Sequence, residues 1–152
     1  MLFRSRLFRG ELSEHARLLP TFVADARARG DVYAADALRV LTLAWVPFLL
    51  ADNPGRASAM LPRLSSVKGM RWRIEDINAL AGHVDVAVYE NHAGRGWQLL
   101  QSHWPSIRRS LLTRVITIRT LLSMTRARCA IALAAGAPPG SAERRARSEE
   151  HT

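Results

Sequence analysis

Few residues of this chain are of types that could do chemistry, and their spacing limits what each could do. His83, Asp85, Glu90 and His92 form one cluster with metal-ligating atoms. At ~100° per helical residue, His83 and Glu90 share a face, Asp85 points away, and His92 falls in a turn. Neither C-x-x-C nor H-E-x-x-H spacing supports them, so no metal site is expected. Ser13-Glu14-His15 holds the letters of a nucleophilic triad, yet helical neighbours diverge by ~100° and cannot converge on one reacting atom. They read as surface polar residues. Gly94-x-Gly96 shares two glycines with phosphate-cradling loops, but those follow a strand and need more glycines plus a Lys or an acidic partner. Between helical flanks it reads as a helix-helix turn. No catalytic, cofactor-binding or metal-ligating residue is therefore expected. Arg71-Trp72-Arg73 is the remaining candidate. An aromatic between two cations at a helix start is a contact point for a partner; otherwise Trp72 packs on a neighbouring helix.

The elements around these residues are helical throughout. From Glu11, the residues Leu12, Ala16, Leu19, Val23 and Ala26 recur at helical spacing, and Pro20 inside them predicts a kink or a restart. Gly30 supplies a stop and Asp31 an N-cap for a second helix from Val32 to about Ala51. That helix is apolar on more than one side, which calls for neighbours on two sides, and Pro47 should bend its last turn. Asn53 caps a short third helix opening on Pro54 and ending near Ser65 and Ser66. Residues 65–70 read as a linker. A fourth helix carries Ile74, Ile77, Ala81, Val84 and Val88 inward, with Glu75, Asp76 and Asp85 on the wet side. Its small Ala79 and Gly82 let a neighbour approach closely. A fifth opens near Arg95 and turns Trp97, Leu100, Trp104 and Ile107 inward, with Pro105 near its end. The sixth runs from about Leu112 to Ala135, with Val115, Ile118, Leu122 and Cys129 on one side. Leu121, Met124 and Ile131 lie on another side and are expected to be exposed.

Two of these helix pairs share a grammar. Placing Gly55-Arg56-Ala57 on Gly94-Arg95-Gly96 puts Met60-Leu61 on Leu99-Leu100, a shift of 39 residues. A fainter third copy begins near Gly140. A period near 40 in paired helices marks an α-solenoid. Size and composition agree: 152 residues, 48% apolar, suit one domain with a sizeable core. The net charge of +9 invites a nucleic-acid reading. However, Lys68 is the sole lysine and the arginines are spread along every helix, as on a solvated face, so no nucleic acid is expected as partner. Cys129 is the only cysteine. It reads as a small core residue in a reducing cytoplasm. The longest apolar run, residues 40–51, falls short of the ~20 residues of a bilayer span, and residues 1–10 contain no signal-peptide core.

Several strings carry a resemblance. Leu18-Leu19-Pro20, residues 28–35, residues 104–115 and Arg126-Ala127-Arg128-Cys129-Ala130 together resemble the C-terminal helical region of large bacterial serine/threonine protein kinases. There a kinase domain precedes tetratricopeptide-like repeats, sometimes with an ATPase module between. The resemblance covers about residues 12–135 and is structural. It implies a protein partner, or the parent chain's own kinase domain, docking on a helical array. Asp52-Asn53-Pro54 and Trp104-Pro105 echo the Pro at a tetratricopeptide repeat end. The chain itself has no His-Arg-Asp, no Asp-Phe-Gly and no Gly-rich loop after a strand.

The sequence thus predicts an all-α protein, a tetratricopeptide-like α-solenoid of about six antiparallel helices. Residues 1–10 are read as an irregular N-terminus, 11–135 as the helical repeat domain and 136–152 as a disordered tail. The last six, Arg147-Ser148-Glu149-Glu150-His151-Thr152, match a translated sequencing adapter and are expected to be an artefact on a truncated reading frame. The expected role is a non-catalytic scaffold or interaction segment of such a kinase. The alternative is the helical repeat region of an ATPase-type transcriptional regulator.

Overall fold

A computed structural model describes residues 9–64 and 72–136. Among these residues every regular element is helical. The chain divides into two compact units, Met1–Ser65 and Ser66–Thr152. The expected linker at residues 65–70, the start of the chain and the tail after Gly136 lie outside the described residues.

The first unit holds α1 (Leu12–Ala28), α2 (Val32–Leu41), α3 (Val46–Leu50) and α4 (Pro54–Met60). The α1 stripe forms as its spacing dictates. Leu19, Val23 and Ala26 are buried with Ala35 and Ala44, and Ala34, Leu38 and Met60 close the cluster. His15 is a correction to the surface reading, because it is fully buried. It lies one turn before Leu19 and one after Leu12, so it belongs to the inward stripe. The helix also runs through Pro20 without interruption.

The expected second helix is instead two. Residue Leu43 sits at φ 54°, a left-handed conformation that disfavours bulky side chains. Pro47 explains the break. Its ring would collide with the carbonyl of the residue four before it, which is Leu43. Pro47 is itself buried. With the turn in place, Leu43 O instead accepts the Val46 N–H at 3.0 Å, and Pro47 falls within the first turn of α3. Pro20 and Pro105 are themselves exposed, and there the helix continues. Trp45, the largest fully buried side chain described, anchors the break.

The second unit holds α5 (Ile74–Tyr89), α6 (Ala93–Arg109), a 3-10 turn (Leu111–Arg114) and α7 (Ile116–Gly136). Each of the three helices packs on the other two. The sequence stripe of α5 is too narrow: Ala79, Leu80, Gly82, Val86 and Ala87 are buried as well as Ile77, Ala81 and Val84. Glu75, expected on the wet side, is buried, whereas Ile74 is exposed. A helix with partners on two sides has little wet face left. Helix α6 begins two residues earlier than expected, which places Gly94 and Gly96 inside its first turns and not in a loop. Pro105 lies inside α6, so its echo of a repeat end does not hold.

The turns repeat bond for bond. Asp52 and Asn91, 39 residues apart, are both left-handed, at φ 53° and 59°. Asn53 N–H donates to Phe48 O at 2.8 Å, and His92 N–H donates to Ala87 O at 2.8 Å. The bonds Asp52 N to Leu49 O (3.0 Å) and Asn91 N to Val88 O (3.1 Å) correspond in the same way. This pair of bonds is a Schellman termination. The turn at Gly30 repeats it with Asp31 N to Ala26 O at 2.9 Å and Gly30 N to Arg27 O at 2.9 Å. Such short reversals make the joined helices antiparallel neighbours. Ala57 and Gly96, equivalent under the shift, are both buried four positions into their helices.

Candidate functional site

In the second unit Gly96 of α6 sits where both α5 and α7 approach it. A Cβ on Gly96 would stand 3.4 Å from Ala87 Cβ on α5, 3.4 Å from Cys129 Sγ on α7 and 3.5 Å from Val84 Cγ1. Cys129 is fully buried there, and its thiol donates to Ala93 O at 3.3 Å. Burial first, and then the nearby Asp85 carboxylate, push the thiol pKa up to about 11. Such a thiol is held neutral and unreactive. Asp85 itself pairs with Arg128 on α7 at 2.9 Å.

One turn from Cys129, Arg126 of α7 lies over two indoles of α6. Its guanidinium stands 4.2 Å from the Trp104 ring centroid and 5.7 Å from that of Trp97. Both rings are half-buried, so they are wall more than core. A guanidinium on an indole face is a cation–π contact of about 1 kcal/mol or more. Sequence reasoning placed the tryptophans correctly on α6 but missed their partner. The available signal was their spacing of seven, two helical turns on one face, in a hairpin followed by an arginine-bearing helix.

The sequence candidates take separate positions among the described residues. Arg71 lies outside the described residues. Trp72 is half-buried; its indole N–H donates to Ser106 Oγ at 2.9 Å, and its ring meets His103 edge-on at 5.5 Å and 84°. Ser106 in turn donates to His103 O at 2.8 Å, which ties the start of α5 to α6. Arg73 is exposed. Its backbone N–H donates to Asp76 Oδ2 at 2.8 Å, half of a capping box. The structure does not gather His83, Asp85, Glu90 and His92: Asp85 faces Arg128, and His92 Nδ1 is 3.9 Å from Glu90. No group of three or more potential metal ligands occurs among the described residues. Glu14 holds Arg17 through two oxygens at 2.7 and 2.8 Å, and His15 is buried.

What remains is surface. Met124 and Ile131 on α7 are 56% and 66% exposed, as their placement on a second apolar side predicts, while Leu121 is half-buried. At ~100° per residue, Met124 and Ile131 share an outward stripe with Thr120, Arg128 and Ala135. Its one charge, on Arg128, is paired with Asp85 at 2.9 Å. Single exposed apolar residues are ordinary, but two on one stripe whose charge is already paired make a small apolar contact surface. Among the described residues no helix is long and apolar enough to cross a membrane. Comparison with known proteins finds no matching family model, no matching curated protein and no matching solved structure.

Proposed function

We propose that this chain is a non-catalytic helical-repeat scaffold, of tetratricopeptide-like solenoid type, within a larger cytoplasmic serine/threonine protein kinase of a bacterium. Its task is to hold a protein partner, or the kinase domain of its own parent chain, against a helical surface. The observation that carries the reading is the turn repeated at a shift of 39 residues, left-handed residue and backbone bonds alike. Repeat arrays propagate by such equivalence, and each unit leaves an apolar face for the next element to cover. The outward stripe of α7 at Met124 and Ile131 is that face, and a docked domain is its occupant. Arg73, exposed beside Trp72, is a further contact point for that partner.

The test uses the reading frame that contains this segment. A kinase domain is expected in the same frame, and it should bind the purified chain and lose at least tenfold in affinity on Met124→Glu with Ile131→Glu. One such charge in a desolvated contact removes more than ~1.4 kcal/mol, which is tenfold. An ATPase module in place of the kinase would favour the transcriptional-regulator reading. Binding indifferent to both substitutions would remove α7 as the docking face.

A further inference from the structure

A second surface of the same unit differs in chemistry from the α7 stripe. From Asn91 to Gly136 the chain contains seven arginines and not one Asp or Glu. The acidic residues described in this unit stand on α5 and its C-cap, at positions 75, 76, 85 and 90. Charge is therefore segregated by helix, which the dispersed appearance of the arginines along the whole sequence conceals. Within it the connection from α6 to α7 is distinctive. Leu111, Val115 and Ile116 are 71%, 43% and 66% exposed within six consecutive residues. Arg108, Arg114 and Arg119 flank them, all exposed and none in an ion pair among the described residues.

We infer that this tip is a contact site for an anionic bilayer surface. Three arguments select that occupant. Large aliphatic side chains exposed at a helix-helix connection have a place to go in the acyl boundary, while flanking guanidiniums stay among phosphates and carboxylates. Cations at several positions without matching carboxylates suit a diffuse negative field, each contributing to attraction within a Debye length of the surface. A single-stranded nucleic acid would need free aromatic platforms. Here Trp97 and Trp104 lie under Arg126, and Trp72 is tied to Ser106 and His103. The inference stands apart from the scaffold reading, since Met124 and Ile131 are not needed for it.

Sedimentation of the full chain with vesicles tests it. Vesicles of phosphatidylcholine with about a third phosphatidylserine should capture the chain, and vesicles of phosphatidylcholine alone should not. Replacing Arg108, Arg114 and Arg119 together by Gln should weaken capture roughly a hundredfold. Leu111→Ser with Ile116→Ser should weaken it about tenfold while the helical circular dichroism stays unchanged. These positions are exposed, so the fold does not depend on them. Equal capture by neutral vesicles, no capture by either, or capture unaffected by these substitutions would overturn the proposal. So would tighter binding to a DNA duplex with a steep salt slope, or loss of the α7 stripe abolishing capture while the arginines do not.

Discussion

The turn at Asp52 and the turn at Asn91 are the same object placed in different surroundings. The first joins helices of 5 and 7 residues; the second joins helices of 16 and 17. Six residues of identical backbone bonding therefore do not set how far a helix runs. In the first unit a buried proline cuts the leading helix at Leu43. In the second, α7 lies against both arms of the hairpin and rewards their length with burial. Isolated helices of these lengths are marginal, so packing decides which persist.

The largest expected effect tests that packing. Gly96→Val should destabilise the second unit by about 3 kcal/mol in urea unfolding, because its methyls have no space between α5 and α7. Gly96→Ala should lie near neutrality, since a helical gain of about 1 kcal/mol offsets contacts at 3.4 Å. The equivalent Ala57→Gly should cost about 1 kcal/mol, from helix propensity and a lost methyl. Next, Arg126→Ala should cost about 1 kcal/mol and alter tryptophan fluorescence, through loss of contact with Trp97 and Trp104. A change in stability with no change in fluorescence would place the effect elsewhere.

The caps sharpen the comparison further. Asn53 Oδ1 accepts the Arg56 N–H at 3.0 Å, whereas His92 at the equivalent position caps nothing. Asn53→Ala should therefore lose about 1 kcal/mol, His92→Ala almost nothing, and His92→Asn should gain several tenths. At the left-handed positions, Asn91→Gly should gain up to about 0.5 kcal/mol and Asn91→Val should lose about 1.

Cys129 adds a pH dependence to the second unit. Its folded pKa, about 11, exceeds the ordinary value of 9.0, so between these the folded state holds the proton more tightly. The contribution is complete below pH 9 and is lost as pH rises towards 11. Unfolding free energy of the native chain should fall across that window more than that of Cys129→Ala. A thiol reagent at pH 8 should label Cys129 only after the unit opens.

Much of this was legible in local patterns. Gly30 with Asp31, and Asn53 with Pro54, are turn chemistry confined to a few residues, and they sit where their types require. The shift of 39 was likewise readable from three residues. The break at Leu43 was not, since Pro47 alone gives the same signal as Pro20 and Pro105. Only burial separates them. Nor were His15 and Glu75 placed, because a polar residue on an apolar stripe is assigned by its type until packing assigns it by its position. Partner contacts at Arg71, Trp72 and Arg73 were read from charge and aromaticity; the hydrogen bond to Ser106 depends on a residue 34 positions away.

The amino-acid order by itself determined that this protein is helical, where most of its chain reversals fall and which of them repeat, because those outcomes depend on interactions spanning about one turn. Tertiary structure alone decided which prolines end a helix, which polar side chains go inside and which arginine covers the tryptophans. Each of those depends on whether water or another helix occupies the space beside a residue, and no short stretch of sequence contains that information.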